Sequence, residues 1–184
     1  MAKDNIALIG MPGAGKSTLG VILAKILRYD FLDVDLLIQN RYGMTLRSLI
    51  ETEGVQGFIK AEGSVLSSLD PHRTIISTGG SAVYSAEAMK HLAKIAHIVY
   101  LRIDYDALAQ RLGDLTERGV VLRGGVSMSL DELYEERSPL YESFAHVVVD
   151  TEGLTITEAA YLVAETVLPL LQDGEGLELA DFPL

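Results

Sequence analysis

Residues Gly10-Met11-Pro12-Gly13-Ala14-Gly15-Lys16-Ser17 fit the pattern G-x-x-x-x-G-K-[ST]. The chemistry that needs this spacing is the holding of a phosphate chain. Glycines let backbone N–H groups turn inward without Cβ clashes, and a helix opening at the lysine adds the positive end of its dipole. Lys16 can bring a cation to the terminal phosphates, and the Ser17 hydroxyl can sit on a bound Mg²⁺. Gly13, Ala14, Gly15, Lys16, Ser17 and Thr18 are therefore candidate nucleotide-binding residues. The motif is specific for nucleoside triphosphates and silent about their use, since GTPases, motors and metabolite kinases all carry it.

Further along stand other groups that could do chemistry. Asp33 and Asp35 close a short apolar run, and the two carboxylates are expected to do different work. Asp35 can also be read as the N-cap of a helix over residues 36–41. Gly79-Gly80 follows a third apolar run and can offer bare backbone N–H groups to an anion, or simply turn the chain. The arginines Arg111, Arg118 and Arg137 are candidate anion ligands or ordinary solvated residues.

These groups need strands to aim them. Runs at 6–9, 31–34, 74–77, 96–102 and 146–149 are apolar at consecutive positions, the mark of parallel strands covered on both faces. Helical periodicity falls between them, at 16–27, 86–94, 104–112, 130–144 and 155–171, with Asp104 and Thr155 placed to cap two of the helices. Strands alternating with helices predict an α/β fold with a parallel sheet. Residues 113–129 lack any period and are rich in glycine, as a lid would be. We expect one domain over residues 1–171 and a loose acidic tail over 172–184.

Composition limits the partners. The 184 residues are 48% hydrophobic and 22% charged, which suits a packed domain. A net charge of −11 argues against nucleic acid, so phosphate must be held locally. With no cysteine there is neither disulfide nor thiolate metal site. No apolar run reaches the length of a membrane span, and a cytoplasmic protein is expected.

Taken in order, the phosphate loop, Leu32-Asp33-Val34-Asp35, Ser77-Thr78-Gly79-Gly80, Arg118 and Arg137-Ser138-Pro139-Leu140-Tyr141 resemble the shikimate kinase family, over nearly the whole chain. The resemblance implies a three-layer P-loop fold with a five-stranded parallel sheet ordered 2-3-1-4-5. It also implies transfer of a phosphoryl group from ATP, with Mg²⁺, to a hydroxyl of a small carboxylate-bearing metabolite, by a monomer. It assigns Asp33 and Ser17 to the metal. Asp35 orients the accepting hydroxyl and can take its proton, while Gly79, Gly80 and Arg137 hold the acceptor. Arg111 stacks near the adenine, and Arg118, with Arg123 as a substitute, closes on the transferring group.

The chain departs from that family in three places. Phe58-Ile59-Lys60-Ala61-Glu62 has Ile59 where the family holds a second carboxylate-binding arginine, and Lys60 points about 100° away on a helix. Ser81 replaces a third glycine, and Gly119-Val120-Val121 replaces the Pro-Leu-Leu that follows the lid arginine. Loss of a charged hydrogen bond is worth about 1.5–3 kcal/mol, or roughly ten- to a hundredfold in binding. Three readings follow: shikimate bound with one arginine fewer, another acceptor such as homoserine against an isoleucine wall, or a nucleotide-binding regulatory module.

Overall fold

The computed structural model describes residues 3–112 and 128–171. Its sheet holds five strands in the order β2-β3-β1-β4-β5, all pairs parallel. The strands are β1 (Asn5–Ile9), β2 (Asp30–Asp33), β3 (Thr74–Ser77), β4 (Ala96–Arg102) and β5 (Val147–Asp150). The helices are α1 (Lys16–Leu27), α2 (Val34–Tyr42), α3 (Leu46–Ser67), α4 (Ala86–Ile95), α5 (Tyr105–Leu112), α6 (Leu130–Phe144) and α7 (Ile156–Val167).

Alternation along the strands divides the interior into two cores. Ala7 and Ile9 of β1 join Ile76, Ile98 and Tyr100 in a core beneath α2, α3, α4 and α6. Ile6 and Leu8 face the other way, with Ile75, Val99 and Leu101, toward α1 and α7. The central strands are sealed on both faces, as their continuous apolar runs require. The edge strands are not: Asp30 of β2 and Val148 of β5 are exposed.

Local chemistry sets where the elements end. Asp33 terminates β2 because its side chain accepts hydrogen bonds from the N–H groups of Asp35 and Leu36, at 3.0 and 3.3 Å, and so caps α2. This corrects two expectations. The strand stops one residue early, and the capping carboxylate is Asp33, leaving Asp35 in the first turn of a helix. Thr155 caps α7 in a reciprocal box with Glu158, and Asp104 Oδ1 accepts from the N–H of Asp106 at 2.8 Å ahead of α5. The helix expected over 155–171 ends instead at Val167, and a 3₁₀ turn (Leu168–Leu170) follows. Pro169 has no N–H to continue the α-helix.

The chain leaves β1 into α1 on one face and leaves β3 toward α4 on the other. Adjacent strands whose continuations part in this way open a crevice at their carboxyl ends. The expected lid at 113–129, except Met128 and Ser129, and the tail at 172–184 lie outside the described residues, as do Arg118 and Arg123. Among the described residues no helix is long and apolar enough to cross a membrane.

Candidate active site

The phosphate loop spans the crevice mouth above β1. Gly13 and Gly15 take φ values of 82° and 90°, a left-handed conformation that side chains resist and that turns N–H groups inward. Lys16 opens α1 and is 7% exposed. Its Nζ donates to the carbonyl oxygens of Gly10 and Met11, 2.8 Å from each. Burial lowers its pKa to about 8, and the charge of Asp35 opposes that shift. Ser17 Oγ lies 3.2 Å from Ser77 Oγ at the end of β3. Ala14 and Arg111 line a cleft of about 140 Å³ with Thr151, Leu154, Thr155 and Ile156. These residues fit a nucleotide: a nest of N–H groups, a buried cation at its base, a hydroxyl at the loop's end that a metal can use, and a cleft for a ring at one end.

Beside the loop the structure gathers four charged side chains from four helices: Lys16 of α1, Asp35 of α2, Glu62 of α3 and Arg137 of α6. Gly79 and Gly80 lie among them. A Cβ on Gly80 would stand 2.9 Å from Pro12 Cδ and 3.0 Å from Arg137 Nη1. A Cβ on Gly79 would collide with Glu62 Oε1 and stand 3.0 Å from Asp35 Oδ1. At Gly80 the rigid Pro12 ring leaves no room for a Cβ, whereas at Gly79 the carboxylate ends of Glu62 and Asp35 would have to shift. The alternative reading of Gly79-Gly80 as a plain turn does not account for these neighbours.

Arg137 is 0% exposed, so it is not an ordinary solvated arginine. Glu132, on the same helix, completes the cap of α6 with Ser129. Arg137 Nε donates to Tyr84 Oη at 3.0 Å, and its guanidinium lies over the Tyr84 ring, 4.9 Å from the centroid. Tyr141 Oη donates to the Gly80 carbonyl at 2.6 Å, so α6 is tied to the glycine pair it faces. Asp35 is half-buried, and burial first, then the charge of Asp33, raises its pKa above the ordinary carboxylate value. A raised pKa moves a carboxylate toward the range in which it can take a proton near neutrality.

Glu62 and Tyr84 were not among the expected site residues. Glu62 was visible only as a partner in the Phe58–Glu62 stretch, and Tyr84 carried no signal, because only the fold brings the 3₁₀ turn Ala82–Tyr84 against α6. Ile59 is half-buried against the core that includes Phe58, while Lys60 is exposed, so the lysine does not replace the missing arginine.

Fold and site together define a nucleotide-dependent kinase of small molecules. The shikimate kinase family model matches residues 12–168. A shikimate kinase of Francisella tularensis subsp. holarctica is 36% identical over 171 residues, covering 89% of this chain and 97% of that one. That of Francisella philomiragia is 34% identical over the same length. Among solved structures, shikimate kinase from Acinetobacter baumannii in complex with shikimate superposes with a TM-score of 0.79 at 30% identity, over 90% of this chain and 93% of that one. The Aquifex aeolicus enzyme gives 0.73 at 30% identity, over 90% and 98%. The chain belongs to the shikimate kinase family, and it is a phosphotransferase that uses ATP and Mg²⁺ to phosphorylate a hydroxyl group.

Proposed function

We propose that this chain transfers the γ-phosphoryl group of ATP to a hydroxyl of shikimate, with the acceptor seated between Asp35, Gly79–Gly80 and Arg137. The observation that carries the reading is the convergence of an anion-binding arginine and a carboxylate of raised pKa on bare glycine backbone, next to a phosphate loop. Arg137 offers the planar fork that a carboxylate accepts bidentately. Asp35 orients the attacking hydroxyl and takes its proton as the oxygen commits to phosphorus. Lys16 stabilises charge on the transferring group, and Arg118 is the second cation in this reading. Ser17, and Asp33 through the oxygen not used in its cap, hold the metal, and Arg111 flanks the adenine. Mg²⁺, when bound, neutralises phosphate charge and orients the phosphate chain. Catalysis then consists mainly of positioning and charge stabilisation. The active unit in this reading is a monomer.

The test is acceptor-dependent release of ADP by the purified chain with Mg²⁺ and ATP, across shikimate, homoserine, gluconate and nucleoside monophosphates. Shikimate is expected to give the highest kcat/KM. A higher value with homoserine, or no stimulation by any acceptor, overturns the assignment.

A further inference from the structure

Tyr84 stands four residues past Gly80, outside every motif of the chain. Its backbone is fixed from both sides. Its N–H donates to the Ser81 carbonyl at 2.9 Å, closing the 3₁₀ turn, and the side chain of Ser85, the next residue, caps α4. From this turn the half-buried side chain reaches α6 and meets Arg137 twice. Its hydroxyl accepts from Nε at 3.0 Å, and its ring faces the guanidinium. The hydroxyl's own proton goes to the side chain of Glu136, the residue before Arg137, so a lone pair is turned toward the arginine. Tyr141, one turn further along α6, hydrogen-bonds the guanidinium as well. Nη1, at the other end of the fork, stands beside Gly80.

Two physical consequences follow. Arginine is long and rotamer-rich, so a loose fork must be ordered when a ligand binds, and that ordering weakens binding. A fork gripped in advance avoids the loss. Burial raises the pKa of both tyrosines, so they stay neutral. Neutral hydroxyls orient the guanidinium without cancelling its charge, as a carboxylate in their place would.

We propose that Tyr84 is a positioning residue for the acceptor's carboxylate: its hydroxyl and ring fix the fork of Arg137 toward Gly80 before the acceptor arrives. Tyr84 acts through Arg137 and not on the substrate. The inference rests on the acceptor seat assigned above and deepens it.

The experiment compares wild type, Tyr84→Phe, which keeps the ring, and Tyr84→Leu, which keeps neither group, in the wild-type and Arg137→Lys backgrounds. Tyr84→Phe is expected to raise the shikimate KM about fivefold and Tyr84→Leu at least about tenfold, with kcat and the KM for ATP within about twofold. The carboxylate is remote from the reacting oxygen, so its loss weakens ground state and transition state alike. In the Arg137→Lys background the same changes cost less than about twofold, because lysine has neither an Nε–H nor a planar fork to hold. Penalties that persist in full there mean that Tyr84 shapes the seat by itself, and the proposal falls. It falls equally if Tyr84→Phe leaves the shikimate KM unchanged, or raises the KM for ATP as much. If wild type does not phosphorylate shikimate, the function assignment fails instead. The grip is then judged on the ligand-free chain, from hydrogen exchange at Arg137 Nε followed by ¹⁵N NMR. Tyr84→Phe must speed that exchange at least about tenfold; equal rates in the two proteins remove the grip.

Discussion

Ile59 and Arg137 divide the handling of one anion unevenly. With isoleucine on α3, the arginine on α6 is the only cation of that pair left for the acceptor's carboxylate, and its guanidinium is already oriented by the Tyr84 ring and hydroxyl. Arg137→Lys removes the planar fork and keeps the charge. We expect the shikimate KM to rise at least tenfold while the KM for ATP moves less than twofold, in steady-state assays varying each substrate. Equal losses for both substrates would place Arg137 on the nucleotide instead. Ile59→Arg returns a fork to the other side and lies one turn from Glu62, close enough to pair with it. The shikimate KM should fall in the same assays; an unchanged or higher KM would mean that position 59 does not line the acceptor's seat. At this scale the sequence was informative wherever a residue's role depends on its neighbours along the chain. The phosphate loop and the mismatch at Ile59 are both of this kind. It was uninformative where the role depends on a partner far away, as with Ser81, whose hydroxyl donates to Glu62 Oε2 at 2.6 Å, or with Arg137 and Tyr84.

Helix α3 shows why some elements were hidden. Its Leu49 and Phe58 are both buried, yet nine residues apart they would point about 180° from each other on a straight helix. No single apolar stripe exists to be read. The structure resolves the conflict at Gly54, whose φ of 69° and ψ of 173° break the helix and reset its phase, so that Phe58, Ala61, Glu62 and Val65 turn inward together. The strands of the sheet and helices α1 and α6 were legible because each repeats one period without interruption. The β2–α2 junction was misplaced by a residue because either Asp33 or Asp35 could cap, and only the observed hydrogen bonds choose. The kink carries its own prediction. A Cβ on Gly54 would meet nothing within 4 Å, so the cost of Gly54→Ala is conformational alone. A residue forced into that region costs about 1–3 kcal/mol, which for a chain of this length lowers the Tm by roughly 2–12 °C. Since the second half of α3 carries Glu62, the acceptor KM should rise as well while ATP binding holds. A Tm within 1 °C of wild type, by calorimetry, would mean that the break does not constrain the helix.

At the scale of the whole molecule, an acidic chain keeps a small island of mixed charge. The net charge is −11, yet Lys16 and Arg137 share the interior of the site with Asp35 and Glu62. Burying charges beside one another is costly, so the island destabilises the ligand-free fold in a way that depends on pH. Burial pushes the Glu62 carboxyl up to about 7 from 4.5. Between those values the folded chain keeps a proton that the unfolded chain has lost. Stability therefore falls as pH rises through that window and stays lower above it. The raised pKa of Asp35 acts in the same sense. Lys16 acts higher and in the opposite sense: lowered to about 8 from 10.5, it sheds its proton first in the folded chain, so stability is regained as pH climbs between those values. Asp150 and Glu158, whose pKa values are depressed, lose their contribution only in more acid solution. Urea midpoints of the ligand-free protein should accordingly decline from about pH 4.5 to 7, by up to about 3 kcal/mol of unfolding free energy, with a constant m-value. Glu62→Gln, which cannot ionise, should flatten most of that decline and leave only the part due to Asp35. A wild-type midpoint that climbs across the same interval, or an equal decline in Glu62→Gln, would mean that the Glu62 carboxyl titrates as an ordinary surface acid and that the island is not dry.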